Sequence, residues 1–312
     1  MIEAWKVPHI VKGMLTWIPA VDAWRLRRIR ASASDSPRYC YAVWFRHLVT
    51  LQKYGFDATK AKVGELGPGE SLGVGLAALL CGARSYTGLD VTPFAKKTNL
   101  EQIFDDLAQM LVHKEPIPNE VEFPHLFPKL DAYEFPTPLV LWDGLSDRSK
   151  KIKDEIALGP NQGELVNYHA PWNSLHDVPE ASLDLILSQA VLEHVNNLEE
   201  AYVAMFKWLK SGGYASHVID FSSHHLSSRW NGHWSYSDWE WGLVKGRRQI
   251  LLNRAPLSTH LAYAKRVGFE VVSIKSEEDH NGFDISTLSR QFATLNVEDA
   301  RTRAAMVILR KP

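Results

Sequence analysis

The sequence predicts an α/β fold with a mostly parallel sheet and helices on both of its faces. Residues 63–73 join an apolar run to a glycine-rich turn, and the apolar residues 72–81 follow at once as a helix. Residues 85–91 form a second strand pattern that closes on an acid. Residues 184–195 form a buried strand pattern followed by a helix start. Strands and helices that alternate in this order are typical of a doubly wound sheet.

The glycine-rich turn reads E-L-G-P-G-E-S-L-G over residues 65–73. Glycine accepts positive φ and lets a ligand approach the backbone, and the free N–H groups at the helix start add a partial positive charge. The dinucleotide fingerprint G-x-G-x-x-G would begin at Gly67 and Gly69, but its third position is Leu72 and Gly73 comes one residue late. The turn favours a nucleotide-like ligand over a nicotinamide dinucleotide. A plain strand–helix connection is the alternative.

The second strand ends on Asp90, which follows Gly69 by 21 residues. This is the distance at which a doubly wound fold places a carboxylate on ribose hydroxyls. An ionised carboxylate can accept hydrogen bonds from two hydroxyl donors at once. The alternative interpretation is a helix cap, because Asp is common immediately before a helix.

Two of these patterns resemble motifs of a known enzyme family. The form Glu65-x-Gly67-x-Gly69 resembles motif I of the class I S-adenosylmethionine-dependent methyltransferases. Residues 184–195, which end in Leu-Glu-His-Val, resemble motif IV of the same family. The resemblance covers about residues 60–312. It implies a Rossmann-like sheet of seven strands with an antiparallel last strand, and S-adenosyl-L-methionine as the cofactor.

The resemblance also implies where the cofactor lies. The acid of motif I contacts the methionine end, the residues after the third strand bound the adenine ring, and residues 188–189 line the methyl end. Trp172 could stack on the purine, or it could fill the core of its loop. The candidate cofactor residues are Glu65, Gly67, Pro68, Gly69, Asp90, Val91, Ala170, Trp172, Ser188 and Gln189.

Histidines follow the fifth predicted strand in the run H-V-I-D-F-S-S-H-H, residues 217–225. The run resembles the His-x-Ile-Asp…Asp-His stretch of methyltransferases from bacterial polysaccharide and O-antigen gene clusters, as do residues 253–258 and 268–271. That subgroup often has Asp where this chain has Ser223. An imidazole with a pKa of about 6.5 suits general-base catalysis. The candidate catalytic residues are His224 as base, Asp220 to orient it, and His194 and His217 nearby; histidines that merely bridge loop backbone are the alternative.

The Glu193-His194 pair raises the question of a metal. Quinone and small-RNA methyltransferases bind a divalent ion through Glu-x-x-Glu-His, and the first carboxylate of that pattern is replaced here by Ala190. A hard cation prefers several oxygen ligands. We therefore expect no metal.

Composition excludes several classes of protein. A net charge of −1 over 312 residues disfavours a nucleic-acid binder, and two cysteines are too few for a metal cluster or a disulfide framework. We recognise no leader and no membrane span, so we expect a cytoplasmic protein. Its oligomeric state is left open.

The expected organisation is an N-terminal helical extension (residues 1–60) and a methyltransferase domain (61–312). That domain includes a Pro-rich insertion (113–163), with a solvated charge run at 150–155, and a substrate-side loop region (222–260).

Residues 1–50 are basic and aromatic, with eight Lys or Arg against three acids and with Trp5, Trp17 and Trp24 among them. Three interpretations stay open. The segment could form helices that pack on the sheet with a solvated basic face, it could cover the active site, or it could contact an anionic membrane surface.

The expected reaction is methyl transfer to a hydroxyl of a sugar, glycan or glycolipid. The subgroup resemblance suggests this acceptor, and so does the stretch 229–241 with its four tryptophans, because aromatic faces suit sugar rings. That stretch could equally form a hydrophobic lid or part of a membrane-facing patch. Residues 241–248 and Arg254 add positive charge for a phosphate or an acidic sugar. A small-molecule methyltransferase acting on a phenol or carboxylate is the rival enzyme. The rival interpretation from another functional class is a protein that binds S-adenosylmethionine but does not catalyse methyl transfer.

Overall fold

The computed structural model describes residues 3–26, 35–97, 99–172, 175–248 and 250–312. These residues contain one sheet of seven strands in the order β3-β2-β1-β4-β5-β7-β6. Neighbouring strands are parallel from β3 to β5, and β7 runs antiparallel to both β5 and β6. The predicted fold class is confirmed. The strands are β1 Lys62–Leu66, β2 Ser85–Leu89, β3 Val166–His169, β4 Leu183–Gln189, β5 Leu209–Asp220, β6 Glu270–Glu278 and β7 Thr302–Arg310.

Helices connect the strands and cover both faces of the sheet. The helix behind the glycine turn is buried at every residue, which explains why its sequence is apolar throughout. The helices are α1 Val7–Leu15, α2 Pro19–Leu26, α3 Pro37–Gln52, α4 Gly73–Cys81, α5 Leu100–Val112, α6 Leu145–Leu158, α7 Leu198–Trp208, α8 Asp238–Lys245, α9 Leu257–Val267 and α10 Val297–Arg301. One apolar core lies under α3, α4, α5 and α6, and a second lies under α7 and α9.

The predicted charge run at 150–155 is not wholly solvated. It lies within α6, where Ile152 and Glu155 are buried. The carboxylate of Glu155 accepts hydrogen bonds from the backbone N–H groups of Glu164, Leu165 and Val166, at 3.1, 2.7 and 2.7 Å. Glu155 therefore provides hydrogen-bond acceptors for the backbone N–H groups that lead into β3. The charged residues around it in the sequence do not predict this role.

The tryptophans of residues 229–241 do not form an exposed aromatic platform. Trp230, Trp234 and Trp241 are buried, and Trp239 alone of the four is exposed. The indole N–H of Trp234 donates to the carbonyl of Arg254 at 3.0 Å, and that of Trp230 donates to the carbonyl of Asp279 at 3.0 Å. These side chains are core residues, so the prediction of a sugar platform is wrong for three of them.

Arg254 is also structural. Its guanidinium is buried, donates to the carbonyl of Tyr236 and to Asp238, and lies over the rings of Trp241 and Phe292. It is not available for a phosphate or an acidic sugar.

The N-terminal helices divide between two environments. The helix α3 is largely buried and packs on α4 and α5, whereas α1 packs on α8 instead of the sheet. The expectation that this whole segment packs on the sheet is wrong for α1. Within the described ranges, no helix has both the length and the apolar character that crossing a bilayer requires.

Candidate active site

The turns that follow β1, β2 and β3 meet at Asp90. Its carboxylate accepts hydrogen bonds from the backbone N–H of Gly69 at 3.2 Å and of Val91 at 2.7 Å. Its own N–H donates to the carbonyl of His169 at 3.0 Å, and its carbonyl accepts from the N–H of Trp172 at 2.8 Å. One aspartate therefore joins three turns at the carboxyl edge of the sheet, where ligands bind in such folds.

The glycine turn fits tightly against the turn after β4. Gly67 and Gly69 have φ values of +64° and +74°, which favour glycine. A Cβ atom on Gly67 would lie 2.6 Å from a methyl carbon of Val191. Any side chain at position 67 would therefore push apart the turns that carry motifs I and IV.

Two buried carboxyl groups lie close together beneath this edge. Tyr86 donates its hydroxyl hydrogen to Glu65 at 2.5 Å. Burial raises the pKa of Glu65 to about 8, an effect that the Tyr86 hydrogen bond opposes and the nearby Asp90 charge reinforces. Burial likewise raises the pKa of Asp90 to about 6, against the opposing hydrogen bonds from Val91, Gly69 and Thr92. A nearby cation or hydroxyl donor would favour the ionised form of each group, which is the better hydrogen-bond acceptor.

The predicted adenine-side residues lie beside Asp90. Val91 is exposed, Ala170 is half-buried, and Pro68 is buried in the glycine turn. Trp172 is half-buried and meets Trp208 edge to face, with their ring centroids 5.5 Å apart. Its indole thus packs on the core under α7, and contact with adenine stays a prediction.

Ser188 and His217 lie inside the sheet and not on the surface of the site. They are register partners in β4 and β5, and Ser188 Oγ lies 2.8 Å from His217 Nδ1. Both residues are fully buried, and burial together with the neighbouring His47 and His260 lowers the pKa of His217 to about 3. Their predicted contacts with the cofactor and the acceptor stay predictions. Gln189, one residue farther along β4, is half-buried and donates to the carbonyl of Phe127 at 3.4 Å.

The other predicted catalytic residues do come together. Asp220 ends β5, and its Oδ2 lies 3.0 Å from His224 Nε2. The rings of His224 and His194 lie 5.1 Å apart, and 32% of the His224 side chain is exposed. His224 has a φ of +45°, and this left-handed backbone turns its side chain back toward Asp220.

A buried acid completes this group. Glu193 precedes His194 on a 3₁₀ turn, is only 3% exposed, and has no hydrogen-bond partner for either carboxylate oxygen among the residues described. Burial and the charge of Asp220 raise the pKa of Glu193 well above its usual value. Burial and the charge of His224 lower the pKa of His194 to about 4. The hydrogen bond and charge of His224 hold the pKa of Asp220 below its usual value although burial acts the other way.

Glu193, His194 and His224 could also hold a metal ion. Each offers one ligand atom, and these atoms all lie within 4.8 Å of one another. The spacing around Ala190 does not reveal that His224, which follows the neighbouring strand, lies beside the Glu-His pair.

One positioning residue was also missed. The Asn253 backbone N–H donates to the carbonyl of Glu193 at 2.7 Å, and its side-chain amide donates to the carbonyls of Leu192 and Val195 at 2.7 and 2.9 Å. Asn253 therefore holds the turn that carries Glu193 and His194. Its one signal in the sequence is its place in residues 253–258, which resemble the polysaccharide-cluster subgroup.

Comparison with known proteins agrees with this architecture. Residues 147–216 match the family model described as a methyltransferase domain, and these residues include β3, β4, α7 and the start of β5. The match and the strand order support S-adenosylmethionine-dependent methyl transfer as the activity of this chain, with S-adenosyl-L-methionine as its cofactor. A search of curated proteins found no match.

Solved structures show weaker likeness. The chain is 15% identical to an S-adenosylmethionine-dependent methyltransferase from Mesorhizobium loti, with 84% of this chain and 96% of that chain covered and a TM-score of 0.42. It is 12% identical to a putative sarcosine dimethylglycine methyltransferase from Galdieria sulphuraria (85% and 83% covered, TM-score 0.44). It is 14% identical to phosphoethanolamine N-methyltransferase 2 of Haemonchus contortus in complex with S-adenosyl-L-methionine (89% and 57% covered, TM-score 0.42). None of these likenesses carries an argument about the acceptor.

Proposed function

We propose that this enzyme transfers the sulfonium methyl group of S-adenosyl-L-methionine to a hydroxyl group of its acceptor. The observation that carries the proposal is the His224–Asp220 pair, 3.0 Å apart at the carboxyl end of β5 and partly open to solvent. With Nε2–H donating to Asp220, the Nδ1 lone pair of His224 is free to accept the hydroxyl proton. The acceptor oxygen then bonds to the methyl carbon, and the carbon–sulfur bond breaks to leave S-adenosylhomocysteine.

The cofactor site of this proposal is the edge at which Asp90 joins three turns. Asp90 accepts hydrogen bonds from the ribose hydroxyls, and Glu65 receives the cationic methionine end of the cofactor. The raised pKa of each carboxyl group supports these roles, because a buried acid without a charge partner favours a ligand that supplies donors or positive charge. Gly67, Pro68, Gly69 and Val91 border the cofactor, with Ala170, Trp172 and Gln189 on its other sides.

The proposed acceptor is a sugar hydroxyl on a glycan, a glycolipid or a nucleotide sugar. Its support is the resemblance of residues 217–225 and 253–258 to methyltransferases of polysaccharide gene clusters. The carboxyl group of Glu193 lies beside the base and adds a further hydrogen-bonding group, which suits a polyhydroxylated acceptor. A phenol or carboxylate of a small molecule is the alternative acceptor.

The first test is an acceptor screen with S-adenosyl-L-methionine that measures S-adenosylhomocysteine, led by sugars and followed by phenols and carboxylic acids. With the best acceptor, His224→Gln should lower kcat by about 10²- to 10⁴-fold and leave cofactor affinity unchanged. His225→Gln is the matched control, because His225 is the next residue and also has a positive φ, of +64°. Equal activity of the wild type and His224→Gln would exclude His224 as the base.

A second mechanism is favoured by the cluster of Glu193, His194 and His224, whose ligand atoms lie within 4.8 Å. A divalent cation held there would make the acceptor hydroxyl acidic without a histidine base. Metal analysis of the purified enzyme and activity after exhaustive chelation separate the two mechanisms. Full activity without metal supports the base, whereas loss on chelation and recovery with one divalent ion supports the cation.

A further inference from the structure

The first helix of the chain presents an apolar stripe to solvent. Val7, Val11 and Met14 recur at helical spacing on one side of α1, and Ile18 continues this stripe just beyond its end. Leu15 lies beside the stripe, and Trp17, in the turn after the helix, is 62% exposed. We call these six residues the N-terminal apolar face. Large apolar side chains are rarely exposed as a continuous group unless they bind something.

This exposure is fixed by the way α1 is attached. Ile10 and Gly13 on its other side are buried against α8, and a Cβ atom on Gly13 would lie only 2.0 Å from the carbonyl oxygen of Leu243. The Lys6 ammonium is buried, donates to the carbonyl of Ser235 at 2.8 Å and pairs with Glu240 at 3.4 Å. The helix is therefore held tightly, and its apolar face points outward because the opposite side is occupied.

Positive charge borders the face. Lys12 and Arg247 are exposed, and Arg248 lies close enough that it and Lys12 add to the effect of burial in lowering the pKa of His9. The nearby acids are already paired, Glu3 with Lys6 at 3.2 Å and Asp22 with Arg25 at 2.8 Å.

We propose that the N-terminal apolar face docks onto the surface of an anionic lipid bilayer. Apolar side chains and a tryptophan on an exposed helix, bordered by Lys and Arg, are what an interfacial helix requires. The apolar groups enter the boundary between headgroups and acyl chains, and the basic groups contact anionic headgroups. A second copy of this chain is a poorer partner, because two basic borders would face each other.

Vesicle co-sedimentation with the full chain tests the proposal, using vesicles of phosphatidylcholine alone and vesicles with roughly one-third phosphatidylglycerol. The wild type should bind the anionic vesicles strongly and the neutral ones weakly. Val7→Ser with Val11→Ser should reduce the partition onto anionic vesicles by about tenfold. Val121→Ser with Val297→Ser is the matched control, because it removes the same atoms from exposed valines elsewhere. Lys12→Glu should weaken binding, whereas Lys150→Glu on α6 should not.

Three outcomes would overturn the proposal. The first is no vesicle binding by the wild type, and the second is equal binding to neutral and anionic vesicles. The third is an equal loss of vesicle binding in Val7→Ser with Val11→Ser and in Val121→Ser with Val297→Ser. Light scattering after gel filtration tests the rival partner, a second copy of the chain. If the wild type is a dimer that does not bind vesicles, and only Val7→Ser with Val11→Ser dissociates it, the face binds a second copy. Binding of S-adenosyl-L-methionine should be the same in all these variants. The test does not use methyl transfer, so its result is separate from that of the proposed function.

Discussion

Asp90 accepts a hydrogen bond from the backbone N–H of Gly69, with 3.2 Å between Oδ2 and N. The bond joins the acid that ends β2 to the glycine turn that ends β1, so the two cofactor motifs form one unit before any ligand arrives. Because the same carboxylate also accepts from Val91, its position is fixed by backbone groups on both sides. Lone pairs that remain on the two oxygens are free to accept from hydroxyl donors.

We expect Asp90→Asn to weaken S-adenosyl-L-methionine binding by about 10- to 100-fold, because hydrogen bonds to a charged acceptor are stronger than those to an amide. Binding to the wild type should also weaken as the pH falls through about 6, where Asp90 of the empty site becomes protonated. Calorimetric titration with S-adenosyl-L-methionine, S-adenosylhomocysteine and NAD measures both effects. Asp154→Asn, an exposed acid on α6, is the control. Unchanged affinity in Asp90→Asn would remove Asp90 from the site.

Glu65→Gln tests whether ionisation of Glu65 destabilises the folded protein. The folded state raises the pKa of Glu65 from 4.5 to about 8, so it binds the proton more tightly than the unfolded chain does. Between these pH values the folded state carries more protons, and stability falls as the pH rises. The glutamine cannot titrate, so the free energy of unfolding of Glu65→Gln relative to the wild type should rise by about 4 kcal/mol from acid pH to pH 8.

Urea unfolding of both proteins at several pH values measures this difference, and its slope with pH is the result that matters. A constant offset can arise from the new amide, whose N–H groups need partners beside Tyr86. Parallel stability curves for the two proteins would mean that the pKa of Glu65 is the same in the folded and unfolded states. Cofactor affinity should be lower in Glu65→Gln than in the wild type, although the free energy of unfolding of the variant rises relative to the wild type as the pH increases.

The sequence predicted those parts of the site that lie close together along the chain. The positions of Glu65, Gly69 and Asp90 follow from a strand–turn–helix–strand pattern, because each turn comes directly after an apolar strand and parallel strands end at the same edge. Asp220 was predicted to orient His224 because the subgroup's usual Asp before the second His is Ser223 in this chain. The 3.0 Å contact between them bears out this pairing, whereas its role in catalysis stays a proposal.

The sequence could not show contacts that depend on how distant elements pack. Ser188 was placed in the site by its resemblance to motif IV, and His217 by the histidine run of residues 217–225. The sequence does not show that the register of β4 and β5 makes them partners inside the sheet, where they bond to each other. The aromatic run of residues 229–241 resembles a binding platform until tertiary packing buries three of its tryptophans. His224 joins Glu193 only because β5 lies beside β4 in the sheet, a relationship that motif spacing does not contain.

Asp220→Asn should lower kcat by about 10- to 100-fold while the Kd for the cofactor stays the same. The carboxylate fixes the His224 ring and stabilises its protonated form, and an amide does neither as well. Rapid-quench or steady-state assays at saturating cofactor give kcat, and calorimetry gives the Kd. Asp279→Asn, which removes an acid near the end of β6, is the control. A Kd that rises as kcat falls would mean that Asp220 acts on the cofactor site and not through His224.

Asn253→Ala should damage catalysis through the turn that carries Glu193 and His194. The substitution leaves the carbonyls of Leu192 and Val195 without their amide donor, and each buried unsatisfied group costs about 1 to 3 kcal/mol. We expect a lower free energy of unfolding and a larger fall in kcat than in cofactor affinity. Asn161→Ala is the matched control, because the Asn161 side chain makes two hydrogen bonds to the backbone of Tyr168, in β3. Loss of stability in both variants with kcat lowered only in Asn253→Ala would identify Asn253 as a positioning residue. Equal kcat losses would assign it a purely structural role.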